Sequence, residues 1–173
     1  MKAVLMSLKP NWCDLIYKFL GYDNRRPLYQ KRLDLRKSKP KCNLPFKVYI
    51  YCTQDESCVF TNRNNWIGNG KVIGEFICDY ILSHCEMANA DVAEQMSCVP
   101  REDVLKYSNG KEVYGWHISN LVIYNKPKEL GEFHKVGYNK VHGSVYGWTL
   151  EEEKSWQITR PPQSWCYVDE ASE

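Results

Sequence analysis

Lys31, Asp34 and Arg36 fall within the run Lys31-Arg32-Leu33-Asp34-Leu35-Arg36. The run alternates polar and apolar residues and predicts a strand over 31–37. Leu33 and Leu35 take one face, and Arg32, Asp34 and Arg36 the other. Asp34 and Arg36 then have their side-chain bases roughly 6–7 Å apart, and a turn at the strand's start swings Lys31 onto the same face. Two cations flanking one carboxylate hold it ionised. The surplus positive charge suits an anionic ligand, with Arg36 gripping a phosphate bidentately while Asp34 orients the guanidinium or accepts an N–H from a base edge. The plainer reading is a surface ion pair across the strand, worth ~0–1 kcal/mol.

The charge distribution favours an anionic partner. The 173 residues carry a net charge of +2, yet Arg25–Lys41 holds eight basic residues and one acid, and the remainder is net −5. Such a basic segment attracts phosphate groups, or is simply a well-solvated loop. A hydrophobic content of 43% and a charged content of 25% fit a single folded domain over 1–173. No apolar run approaches the ~18–20 residues of a membrane span, and Ser7 and Lys9 break the stretch that a signal peptide needs. The expected location is therefore cytoplasmic, with no membrane partner. The eight cysteines show no Cys-x2-Cys pair. They read as reduced core residues, the alternative being a Cys78/His84/Cys85/Cys98 metal cluster. No metal and no cofactor is expected.

The elements that position these residues follow from periodicity. Lys2–Leu8 predicts a strand. Pro10 opens a helix on which Trp12, Leu15, Ile16, Phe19 and Leu20 have core spacing, ended by Gly21. Strands are expected over Phe46–Thr53, Lys71–Ile81 with a bend at Gly74, Tyr114–Tyr124 and Ser164–Asp169, with a turn at Asn125–Glu129. Pro100–Tyr107 reads as a short helix, and Leu82–Cys98 is ambiguous. The segment 132–154 is not placed, although 136–143 and 144–148 pair as a hairpin pattern. Five to seven strands with two or three short helices predict a mixed α+β, mainly β fold, as a small barrel or closed sheet.

Aromatic side chains supply the other half of a nucleobase site, because a base stacked on a ring gains ~1–3 kcal/mol. Trp12, Trp66, Trp116 and Trp165 are the candidates. Trp12 and Trp116 read as core. Trp165, after Pro161-Pro162-Gln163-Ser164, is the better pocket residue, and the Gln163 amide pairs with a base edge. His117 on its strand reads as structural or functional. Glu75 in an apolar strand either reaches solvent at the bend or faces a cavity, where a raised pKa suits proton transfer.

Taken in order, the segments resemble the ASCH domain of the PUA-like superfamily, in a bacterial and prophage subgroup. Ser7-Leu8-Lys9-Pro10 with its helix is similar to the family's opening S-I-x-P strand and helix. Residues 31–36 resemble the G-x-K-T-x-E-x-R signature, and Gly70–Phe76 the G-x-V-I-G strand. Tyr114-Gly115-Trp116-His117-Ile118 and Arg160–Trp165 resemble subgroup motifs. The chain departs by an inserted loop at about 22–30, by Arg32 where Thr is usual and by Asp34 in place of Glu. The resemblance implies a PUA-like small β-barrel with an N-terminal helix and one or two further short helices. It implies a cleft that binds RNA or a modified nucleotide. Ser7, Lys9, Lys31, Asp34, Arg36, Lys37, Gln163, Ser164 and Trp165 would line this cleft. In a related amidohydrolase branch acting on a modified cytidine, Lys31 and Asp34 match the catalytic Lys and Thr, and Glu94 the catalytic Glu.

Two further functions compete. A nucleoside-directed hydrolase, an N4-acylcytidine amidohydrolase or a ribonuclease, would use Lys31 as base or activator, with Asp34 or Glu75 positioning water. A protein-interaction module of phage–host type would use the Tyr/Trp surface.

Overall fold

The computed structural model describes residues 2–18, 31–138 and 149–171. Strand β1 (Lys2–Leu8) is followed by helix α1 (Pro10–Lys18), β2 (Leu33–Arg36), β3 (Phe46–Cys52), β4 (Lys71–Cys78) and β5 (Ile81–Leu82). Helices α2 (Ala90–Ser97) and α3 (Arg101–Ser108) precede β6 (Tyr114–His117) and β7 (Ser119–Lys128). A single 3-10 turn, α4 (Leu150–Trp156) and β8 (Trp165–Asp169) complete the described chain.

β1 is apolar on both faces because it lies inside a five-stranded sheet of order β7-β4-β3-β1-β8. It runs parallel to β3, with Val4 beside Val48 and Leu8 beside Cys52, and antiparallel to β8. Val4, Met6 and Leu8 enter a core roofed by Cys13 and Ile16 of α1 and closed by Phe46, Phe76 and Trp116. Ala3 and Leu5 enter a second core on the opposite face, with Tyr49, Phe133 and Val168.

β2, β6 and β5 form a separate three-stranded sheet, and the α2–α3 pair closes a small third core around Cys85, Ala93, Val104 and Val113. Among the described residues the ladders make two open sheets and no closed barrel. The chain changes sheet between β1 and β2 and between β2 and β3, and again where β4 leads to β5 and β6 leads to β7; the last two changes divide the expected strands over Lys71–Ile81 and Tyr114–Tyr124. The second break falls at Ile118, whose N–H donates to the Arg32 carbonyl at 2.9 Å.

The expected turn over Asn125–Glu129 is instead the end of β7, which holds Pro127 in an edge strand where a missing N–H costs little. Gly74 marks a register slip of β4 against β7, and a Cβ there would collide with the Val122 carbonyl oxygen. The ambiguous stretch before Cys98 forms α2. Within the unplaced segment, α4 starts on a capping box made by Thr149 and Glu152. The proposed hairpin and the insertion at 22–30 lie largely or wholly outside the described residues. No described helix is long and apolar enough to cross a membrane.

Candidate functional site

β2 is only four residues long, and both of its faces are covered. Leu33 and Leu35 turn toward the α2–α3 side, Leu33 packing over Gly115. Asp34 and Arg36 turn toward the C-terminal end of β1, and Lys31, just ahead of the strand, joins them. All three are almost fully buried, at 2%, 4% and 7% exposure.

Lys31 Nζ lies 3.5 Å from Asp34 Oδ1 and donates to the Ser97 carbonyl at 3.2 Å. Arg36 Nε donates to Asp34 Oδ2 at 2.5 Å. Burial alone would raise the Asp34 carboxyl, but the charges of Arg36 and Lys31 outweigh it and hold the group below its ordinary value. Burial lowers the Lys31 amine, against the opposing pull of Asp34.

Arg36 reaches further than its own sheet. Nη1 donates to the Ser164 carbonyl and hydroxyl oxygens, both at 3.1 Å, and Nη2 to the Ser7 carbonyl at 2.8 Å, with Met6 Sδ at 3.7 Å. A guanidinium has five N–H donors, and these acceptors occupy them. The phosphate grip expected of Arg36 is therefore corrected. The side chain is a clamp that ties β2 to β1 and to the approach of β8, and Ser164 is one of its anchors.

The buried charges form the floor of a cavity of about 460 Å³. Its walls are Trp12 at the start of α1, Lys9 between β1 and α1, and Thr53 after β3. Asp103 and Tyr107 of α3 and Gln163 ahead of β8 complete them. Lys31 Nζ sits 4.9 Å from the Trp12 ring centroid, and Lys37 Nζ 4.8 Å from that of Tyr107. Lys9 and Gln163 are exposed at the mouth. Lys31 spends two of its three N–H groups on Asp34 and Ser97, which leaves one for a ligand.

The same arrangement of elements recurs in solved structures. A crystal structure of ASCH from Zymomonas mobilis matches with a TM-score of 0.54 at 14% identity, over 88% of this chain and 91% of that one. A tyrosine-to-phenylalanine mutant of that protein matches at 0.53 and 14%, over 90% and 95%. A serine-to-alanine mutant matches at 0.53 and 13%, over 95% and 87%. The chain has the ASCH fold. No family model and no curated protein sequence matches it.

Within the ASCH fold, Ser7, Lys9, Lys31, Asp34, Arg36 and Gln163 come together at one cavity, while other candidates lie elsewhere. Trp165 does not line it. The ring packs on Trp116 at 5.7 Å and Tyr167 at 5.3 Å, and its indole N–H donates to Ser38. Glu75 is separate too, taken up by Lys47 at 3.2 Å and by the Tyr124 hydroxyl at 2.5 Å, so it positions no water beside Lys31. Glu94 on α2 is exposed and accepts from the Arg101 N–H at the start of α3. His117 binds Asp79 at 2.6 Å and stacks on Tyr80, away from the cavity.

Cys78, His84, Cys85 and Cys98 do not assemble, and no metal-ligating group of three or more occurs among the described residues. Trp12, whose helical spacing marks it as core, lines the cavity instead, together with Tyr107, Thr53 and Asp103. Trp12 was legible only as the neighbour of the Ser7–Pro10 segment, and the other three carry no local signal.

Proposed function

We propose that this chain binds single-stranded RNA or a nucleotide in the cavity above Lys31, Asp34 and Arg36. The observation that carries the reading is a concave site with a buried floor of two cations and one carboxylate, walled by two aromatic rings. The base stacks against Trp12 and Tyr107. The phosphate is drawn by Lys9 at the mouth, by the uncommitted N–H of Lys31 and by Lys37 beyond Tyr107. Gln163 offers a donor and an acceptor to a base edge. The finer architectural reading, that the two sheets are parts of a PUA-like barrel, belongs to the same proposal.

Titration with a single-stranded RNA oligomer across salt concentrations tests it. Affinity should fall as salt rises, and Lys9→Ala should reduce the slope of log affinity against log salt by about one. A flat salt response, unchanged by Lys9→Ala, would refute the proposal.

A hydrolytic reading has one observation in its favour, the buried Lys31 amine with its lowered pKa beside an ionised carboxylate. Such a lysine suits a general base. Turnover of N4-acylated cytidine, lost in Lys31→Ala, would support catalysis. Its absence in the unaltered protein leaves binding alone.

A further inference from the structure

The aromatic-walled cavity adjoins a larger one. A chamber of about 740 Å³ shares Ser7, Thr53 and Gln163 with it as a common wall. The two differ in chemistry. Glu129 is the one charged side chain lining the second chamber among the described residues, and Lys71 pairs with it at 2.5 Å. The remaining polar lining is neutral, with Tyr51 and Thr159 hydroxyls and Gln54 and Gln163 amides.

Tyr51 points most directly to a ligand. Its side chain is 6% exposed, and its hydroxyl has no hydrogen-bond partner among the described residues. The hydroxyl is not sealed from solvent: it opens onto the chamber, free to donate to a group that occupies it. Burial raises the phenol above its ordinary value, so the group remains a donor. Gln54 lies against Gly70, whose φ of +78° and missing Cβ leave room for the amide.

We infer that the second chamber holds the neutral part of the next unit of a strand, its ribose and base, so that the ligand is an oligonucleotide of two or more units. The inference rests on the nucleotide reading of the first cavity. A phosphate in the second chamber would meet the Glu129 carboxylate, with no unpaired cation among the described lining residues. A ribose matches it, because its hydroxyls both donate and accept and so complement Glu129, Gln54 and Tyr51. The linking phosphate then lies over the shared wall, where Thr53 and Gln163 offer donors.

Calorimetric titration of the full chain with ribonucleoside 5′-monophosphates, and separately with a pool of 5′-phosphorylated ribodinucleotides, tests this. Dinucleotides should bind about tenfold tighter or more. Tyr51→Phe keeps the ring and removes only the unpartnered hydroxyl. It should weaken dinucleotide binding about two- to twelvefold, the range of one hydrogen bond, and leave mononucleotide binding unchanged. Gln54→Ala should act in the same direction. Equal affinity for the two ligands, or a Tyr51→Phe loss shared by both, overturns the second chamber alone. Mononucleotide binding that ignores Trp12→Ala overturns the first cavity and this inference together.

Discussion

Asp34 and Glu75 make an instructive pair. Each is a strand carboxylate that meets a lysine and one further polar partner. Asp34 has 5% side-chain exposure, and among the described residues it is the one carboxylate that Lys31 and Arg36 pair with. Glu75 has 25% exposure, and its Lys47 also meets Glu170 at 3.3 Å. The first cluster is sealed under a cavity, while the second is wetted and has a spare anion. Residue type and strand alternation look alike at the two places. What separates them is the cavity that Trp12 of α1 and Tyr107 of α3 wall above the first cluster, so only that cluster keeps a net positive charge facing a concave space.

The largest expected effect is on stability. Asp34→Ala leaves two buried cations without their anion and should cost about 3–5 kcal/mol in chemical denaturation. A loss as small as that of Glu75→Gln would erase the contrast. Next comes ligand affinity. Trp12→Ala should weaken single-stranded RNA binding by ~1–3 kcal/mol, whereas Trp165→Ala should lower the melting temperature and leave affinity in place. Reversed behaviour of the two tryptophans would move the site toward β8.

The pH response sharpens the contrast further. The folded pKa of Asp34 is depressed, so its contribution is present above the unfolded value of 3.8 and is lost as pH falls below that toward the folded pKa. The stability gap between the unaltered chain and Asp34→Asn should therefore narrow in acid, as read by denaturation at a series of pH values. The smallest effect is that of Glu75→Gln, ~0–1 kcal/mol, because Lys47 retains Glu170 and solvent screens the site.

Much of the frame was legible in the sequence. β1, the start of α1, β3, α3 and β8 follow from periodicity, and the alternation of residues 31–36 places Asp34 and Arg36 on one face. What escaped depended on partners. Tyr114–Tyr124 is uniformly strand-forming, and only its pairing with β2 before Ile118 and with β4 after it divides the run. Arg36 looked like a free grip because its acceptors, Ser7 and Ser164, lie 29 and 128 residues away. Trp12 looked like core because it has helical spacing with Ile16, but it sits in the first turn of α1, where the helix overhangs the cavity. Trp165 looked like a pocket residue from its polar neighbours, yet β8 pairs it with Met6 and turns its ring onto Trp116.

The most direct measurement is a crystal structure with a bound 5′-ribonucleotide. The base should lie against Trp12 and Tyr107, with a ligand atom within hydrogen-bond distance of Lys31 Nζ. Arg36 should keep its contacts to Asp34, Ser7 and Ser164. A nucleotide bound instead on Trp165, or this cavity left empty at saturating ligand, would contradict this placement.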